Sequence, residues 1–433
     1  MLLIWAAMLA GSPCEHGFHH LRYDDDDSCR PLALEVDEQN WLRLGGEVRQ
    51  RLTFVENFEF GDAFEAGDWI GSQRYFLNLD GRWAGRLQTF VQLGSLVAIN
   101  QGSPPSPTER NDFDLLQAFV RWKGASIRPW AGRRVLQLGS QRLVARREGP
   151  NVRRNFDGLG LELEEGLLTL SALLARPVLP RQSGVFNDFQ RPEQMVWGSY
   201  ATLEDHSIGL DLYYLGSSDE EARFDGGVLG RELRHSFGLR AFGARYGADW
   251  DIEAILQVGD FEGREILAWT LASMLGYRFQ DLPLSPRLGL SVNVASGERN
   301  PGDGRVDAFN ALFPRGNYFS EAAVLGPRNF YNVHGFLSIE PLDGLDFTTD
   351  LNGYWRFSLE DGVYGPPGNL IRGPADSEAR FVVLAWSNAF QWTINRWVDA
   401  TAIYTVQDPG RFIEETGEAP LTHFAEFTVR LRF

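Results

Sequence analysis

The stretch from Gly132 to Gly158 reads GRRVLQLGSQRLVARREGPNVRRNFDG and holds Arg133, Arg134, Arg142, Arg146, Arg147, Arg153 and Arg154. The chain around it is acidic, with a formal net charge of −17. A guanidinium stays charged when partly buried and meets a carboxylate through two parallel hydrogen bonds. Such a run suits a carboxylate-bearing solute. The segments on either side alternate apolar and polar residues, as β-strands do. The reading is a basic loop, residues 137–154, folded into the mouth of a membrane β-barrel on the path of an anionic solute. Lys123 is the only lysine. A GC-rich genome would give the same bias, so the bias alone carries no function.

Catalysis finds little support. A hydrolase would need a nucleophile beside a base. The body of the chain offers only His206, His235, His334 and His423. His235 takes outward parity, His206 falls in a turn, and His334 meets Ser338 only by local chance. No Gly-x-Ser-x-Gly elbow, His-Glu-x-x-His site or phosphate-binding loop is present. The chain is not read as an enzyme, no cofactor is expected, and any transport is downhill or driven from elsewhere.

Composition agrees with a barrel. The 433 residues could make several soluble domains or one large barrel. Mean hydropathy is −0.25 and aromatics are 13%. No apolar run is long enough for a transmembrane helix, whereas a spanning strand needs only every second residue apolar. The acidic balance argues against nucleic acid. Cys14 and Cys29 both precede the first strand, so the body has no disulfide to rely on. His16, His19 and His20 near Cys14 match no zinc spacing, and no metal site is expected. Residues 1–12 resemble a signal peptide without its basic start. Residues 13–40, with the run Asp24–Asp27, read as a solvated tail.

The barrel is expected over 41–433. In RLGGEVRQRLTF, Glu47, Arg49, Arg51 and Thr53 share one face and Val48, Leu52 and Phe54 the other. The next strand sets Arg74, Asn78, Asp80 and Arg82 against Tyr75, Leu77 and Leu79. The beat continues to the last strand, where Ala425, Phe427, Val429, Leu431 and Phe433 oppose Glu426, Thr428, Arg430 and Arg432. Short turns fall near 84, 124, 166, 206, 245, 282, 343 and 394, with long loops between them. About 18 strands result. The fold class is all-β: a transmembrane antiparallel up-and-down barrel with short periplasmic turns and long extracellular loops. The place is the outer membrane of a Gram-negative bacterium, and the terminal Phe433 resembles the end of barrels handed to the outer-membrane assembly machinery.

Gly132-Arg133, Gly139-Ser140-Gln141-Arg142, Glu148-Gly149-Pro150-Asn151-Val152-Arg153-Arg154 and Phe156-Asp157-Gly158 resemble the signature of the alginate export family. Arg134 departs from the Gln expected there. The resemblance implies an 18-stranded outer-membrane barrel that passes a polyuronate through an arginine-rich constriction, as a monomer.

Inward parity adds Arg49, Arg51, Arg74, Arg82, Arg86, Arg133, Arg287, Arg430 and Arg432 to the loop arginines. Glu47, Asp80, Asp211, Asp249, Asp251, Glu253, Asp346 and Asp350 share that lumen. Acids there would hold the guanidinium groups and keep a polyanion from binding too tightly to leave. Gly149-Pro150-Asn151 reads as a turn. Asp157 is expected to anchor Arg153 or Arg154, and Arg142 and Arg147 to touch the solute. Each loop arginine could instead pin the loop to the wall. Two functions stay open: passive passage of an anionic polysaccharide, and a general or small-anion uptake porin with structural arginines. The acidic stretches 217–226 and 413–418 read as outer loops. They would be solvated or bridged to lipopolysaccharide by divalent cations. The short turns offer a surface to a periplasmic export scaffold but name none.

Overall fold

The computed structural model describes residues 32–37, 39–63, 67–100, 108–224, 228–316 and 322–433. The expected signal peptide, Asp24–Asp27, Cys14 and Cys29 lie outside the described residues. Antiparallel strands close into an 18-stranded barrel. They are β1 (Asn40–Glu56), β2 (Asp68–Trp83), β3 (Leu87–Asn100), β4 (Asn111–Trp122), β5 (Ile127–Val135) and β6 (Asn155–Glu165). There follow β7 (Leu168–Leu179), β8 (Gln194–Glu204), β9 (Ile208–Phe224), β10 (Val228–Arg245), β11 (Ala248–Phe261) and β12 (Arg264–Arg278). The last are β13 (Arg287–Ala295), β14 (Phe330–Leu342), β15 (Leu345–Arg356), β16 (Phe381–Asn395), β17 (Val398–Pro409) and β18 (Thr422–Arg432). Each strand pairs with the next, and β1 pairs with β18 from Glu47↔Arg432 to Glu56↔His423.

Alternation decides which face is which, and the barrel is inside-out. In β11 the acid Glu253 is only 2% exposed, while Leu256 is 45% exposed on the outer wall. Large apolar side chains stand on that outer wall all round the barrel: Leu52, Leu77, Leu161, Leu212, Leu239 and Leu290 are all exposed. In water this would be one continuous aggregation surface. In lipid it is the required exterior. Trp83, Trp122, Tyr277 and Trp392 mark the short-turn rim, and Trp69 and Trp269 the opposite one.

Several boundaries differ from expectation. Leu32–Asp37, placed in the tail by the sequence reading, is a strand that pairs with β1 from Leu32↔Leu44 to Asp37↔Asn40. It continues the line of β18, whose Phe433 exchanges backbone hydrogen bonds with Gly46 at 2.7 and 3.1 Å. The acidic stretch 217–226 is mostly strand. Ser217 to Phe224 complete β9, paired to β10 down to Phe224↔Val228, with a bulge between Asp219 and Ala222. Its polar residues misled because a hairpin standing above the membrane has no lipid-facing requirement. Residues near 413–418 include a short helix, α1 (Arg411–Thr416). One long-loop-side connection is tight: Glu262 and Gly263, both at positive φ, join β11 to β12.

Four of the other loop regions turn inward, around Phe60, around Phe309 and Val324, around Val363, and around Phe412 and Ile413. Phe60, Phe309, Val324, Val363, Phe412 and Ile413 form a hydrophobic core within the mouth. Arg372 ties this plug together. Its guanidinium donates to Asp62 at 2.6 and 3.1 Å, to the Ile413 carbonyl at 2.8 Å and to the Glu418 carbonyl at 2.5 Å. Three loops therefore meet on one charge. Arg372→Ala is expected to cost roughly 2–3 kcal/mol of local loop stability. Limited proteolysis should then cut loop 357–380 while the folded barrel still resists heating on a gel. Uncut loops in that variant would refute the clamp.

Candidate functional site

Loop 136–154 leaves β5 at Val135 and returns at Asn155, and these two residues are paired. It crosses the lumen between them. Its first anchor is the wall of β8, β9 and β11. There Ser140 donates a hydrogen bond to Glu253, and Arg142 lies 3.1 Å from the same carboxylate. Beneath them Tyr200 and Tyr213 stack at 4.8 Å. Their hydroxyls donate to Asp211 at 2.7 Å and Glu253 at 2.5 Å. Gly139 has φ +47, and a Cβ there would lie 1.9 Å from the Tyr200 hydroxyl. Only glycine admits this approach.

The second anchor is the wall of β1 and β2. Arg49 donates to the carbonyls of Glu148 and Pro150 at 3.1 and 3.3 Å and to the Asn151 side-chain oxygen at 3.0 Å. Arg74 donates to the carbonyls of Asn151 and Pro150 at 3.0 and 2.8 Å. Arg51 bonds the Gly149 carbonyl and pairs with Glu109 at 2.6 Å. The Asn151 amide donates to the backbone oxygens of Gln73, Val97 and Glu109. Between the anchors, Val144 forms a parallel bridge with Phe313 of loop 296–329. The loop is thus a beam fixed at both ends and braced in the middle.

Charge in the beam converges on Glu148. Its carboxylate takes Arg74 at 2.6 Å, Arg153 at 2.7 Å and Arg146 at 2.9 Å, with Arg430 and Arg49 at 3.7 and 3.8 Å. Burial pushes the Glu148 carboxyl upward, but the charges of Arg153, Arg74 and Arg146 outweigh it and hold it well below the usual carboxylate range. Glu47 shares Arg74 and Arg153 at 3.2 and 3.3 Å. Arg147 and Arg154 differ. Arg147 donates to the Val152 carbonyl at 3.0 and 3.3 Å. Arg154 lies over the Phe313 ring at 5.1 Å, with Nη1 buried and unbonded. Among the described residues neither has a carboxylate within ion-pair distance. Burial pushes Arg147 down to about 10, and burial plus the neighbouring Arg147 charge pushes Arg154 well below its ordinary value.

The sequence profile of the family described as alginate export matches residues 40–425. The chain belongs to the alginate export family. No curated protein matches it. Solved structures share its fold at low identity. Pseudomonas aeruginosa OccK11 (OpdR) superposes with TM-score 0.57 at 12% identity, covering 93% of this chain and 99% of that one. P. aeruginosa OccK2 (OpdF), solved in complex with glucuronate, gives 0.59 at 12%, covering 90% and 96%. Acinetobacter baumannii OccAB1 gives 0.59 at 12%, also covering 90% and 96%. This alginate export family member is a channel of the Gram-negative outer membrane. Family and fold are those of channels.

Of the expected site residues, Glu47, Arg49, Arg51, Arg74, Arg146, Asn151 and Arg153 do come together at the second anchor. Arg142 lies at the first, its charge matched by Glu253. Asp80 sits apart, hydrogen-bonded by Gln88, which also accepts from Arg121. Arg134 packs against Trp130 and Phe119 at 4.8 and 5.2 Å and lies 3.5 Å from Glu162. Three expectations fail. Asp157 anchors Arg133, at 2.7 Å, rather than Arg153 or Arg154, which turn into the beam. Arg133 does not take inward parity. It pairs with Asp157 on the face that continues to Leu159 and Leu161 on the outer wall, because Trp130 and Arg134 occupy the inner face of β5. Arg86 lies in the turn before β3 rather than on a wall. His334 meets Asp350 at 3.1 Å, while Ser338 bonds Thr348. Glu148 and Glu109 were missed as site residues. Glu148 stood within the quoted signature and Glu109 had no signal of its own, and neither falls on a strand where parity could place it.

Because the folded Glu148 carboxyl is held low, its contribution is fully present above the ordinary carboxylate value, about 4.3. It is lost only as pH falls through the depressed folded value. Single-channel conductance should therefore stay steady from pH 7 down to about pH 4. Glu148→Gln should give noisy, variable conductance throughout that range, and a quiet Glu148→Gln channel would show that the knot does not hold the beam.

Proposed function

We propose that this channel passes an anionic saccharide, an alginate-like polyuronate, passively through the constriction. The observation that carries the reading is the pair Arg147 and Arg154. Most lumen guanidinium groups already bind carboxylates or loop carbonyls, so they shape the passage. Arg147 and Arg154 are two adjacent cations, partly withdrawn from water, with no carboxylate within ion-pair distance among the described residues, although Arg147 also donates to the Val152 carbonyl. An arriving carboxylate would restore what burial took from them. A charge-assisted hydrogen bond of this kind contributes about 1.5–3 kcal/mol. That is enough to select an anion and little enough to release it to the next site. The family match supports a uronate polymer. The glucuronate bound to OccK2 supports carboxylate-bearing sugars on this fold more generally. In this reading the channel is a monomer among outer-membrane lipid and lipopolysaccharide. Its short turns are left to any export scaffold.

The second reading, a general or small-anion uptake porin, is favoured by the heavy neutralisation around Glu148 and Glu253. Planar bilayers separate the two. Under a salt gradient the wild-type current should be anion-selective and blocked by oligouronates, while neutral oligosaccharides of equal length should not block. Arg154→Ala, whose side chain makes no hydrogen bond to a described residue, should weaken the block about tenfold, a loss of about 1.4 kcal/mol. Arg147→Ala should weaken it similarly, and Arg142→Ala should do less because Glu253 already matches that charge. A cation-selective or uronate-blind pore would overturn the polyuronate reading and leave the small-anion porin.

A further inference from the structure

The outer wall carries a polar cluster that transport does not use. The Trp197 indole N–H donates to the Tyr214 hydroxyl at 3.2 Å, and that hydroxyl meets His235 Nδ1 at 2.9 Å. The Tyr214 and His235 rings stack at 5.9 Å and 16°. An indole can only donate. The Tyr214 hydroxyl can accept from the indole and give its own proton to His235 Nδ1, the arrangement in which the imidazole proton sits on Nε2. No described residue bonds Nε2. His235 shares the outward face of β10 with the exposed Phe237 and Leu239.

Height along the barrel fixes what this cluster meets. His235 pairs with Gly216, eight residues up β9 from Ile208 at the short-turn rim. At ~3.3 Å per residue and a strand tilt near 40°, His235 stands roughly 20 Å above that rim, within an apolar band about 25 Å tall. Arg231 is on the same outward face of β10, roughly 10 Å higher by the same geometry. Its side chain is exposed and lies 3.3 Å from Glu220. Arg223, exposed and opposite Leu229, stands beside that column. The column rises from apolar wall through an aromatic relay to two cations, which is the order of groups in an outer-leaflet lipid from acyl chain to phosphate.

We propose that Trp197, Tyr214, His235, Arg231 and Arg223 form a binding site for the phosphorylated headgroup of an outer-leaflet lipid. His235 Nε2 donates to the headgroup, Arg231 and Arg223 take the phosphate, and Phe237 and Leu239 carry the acyl chain. The barrel supplies its own comparison. Tyr404 meets His423 Nδ1 at 3.0 Å, and His423 is diagonal to it beside Val406, eight residues up from Val398. The tyrosine–histidine contact and the height are the same, but among the described residues no indole bonds that tyrosine. There, however, the cross-strand neighbour is Glu56 and the residue above Val406 on that face is the exposed Asp408. That site offers only acids at these positions, whereas the first sets Arg231 and Arg223 beside Glu220 and Glu221.

Native mass spectrometry of the delipidated, refolded full chain tests this in detergent. The probes are bisphosphorylated lipid A, dephosphorylated lipid A and inorganic phosphate. Wild type should retain bisphosphorylated lipid A at least tenfold better than the dephosphorylated form, and inorganic phosphate should not compete at millimolar concentration. Arg231→Gln with Arg223→Gln, and separately His235→Phe, should reduce that retention about tenfold. His423→Phe should leave it unchanged. Equal retention of the two lipid forms by wild type, which needs no variant, would overturn the proposal. Equal loss in His423→Phe would also overturn it, by pointing to a non-specific aromatic belt. Displacement by inorganic phosphate would reduce the site to a free-anion site. The outcome is independent of what passes through the pore.

Discussion

A bilayer offers no water to an unpaired peptide group, and the whole architecture answers to that. Every strand must have a neighbour on both edges, so the sheet must close, and β1 must find β18. Closure sets the other requirements. Strands that share two edges alternate faces, so one side-chain set is committed to lipid and the other to the lumen. A lumen wide enough for 18 strands is then too wide to be filled by wall side chains alone. Loops must enter it, and they bring backbone carbonyls that need donors.

The arginines answer that need. Arg49, Arg51 and Arg74 spend most of their hydrogen bonds on the backbone of residues 148–151. Their positive charge is then matched by Glu47, Glu109 and Glu148. A buried charge is costly unless it is paired and fully bonded. This knot meets that condition with forks that lysine could not provide. The chain's near-total use of arginine therefore has a structural use whatever its genomic origin. It also explains why the residues most eye-catching as ligand contacts are mostly mechanical.

Fold and site differed in how far they could be read from sequence. Period two along each strand, short turns and the aromatic end gave closure, strand number and the inner face, because each strand obeys the same local rule. That rule stops at strand ends. The β9–β10 hairpin outruns the membrane, so its polar residues read as a loop although they are paired. Trp130 turns inward beneath Arg134 and so sends Arg133 to the other face, although parity had put Arg133 in the lumen. Loop contacts obey no period at all. Asp157 is near Arg153 in sequence, but its register partner across the sheet is Arg133. Glu148 gathers arginines from β1, β2, β18 and its own loop, a convergence that only the closed barrel creates.

The N-terminal strand Leu32–Asp37 has a consequence for how the protein is made. It lies where β18 would go on, so two segments far apart in the sequence share a single seam. A polypeptide cut short by a stalled ribosome or a protease would carry β1 with one edge bare. Such an edge binds any passing strand. The seam thus distinguishes chains that reach β18, whose edges are all paired, from chains that stop before it.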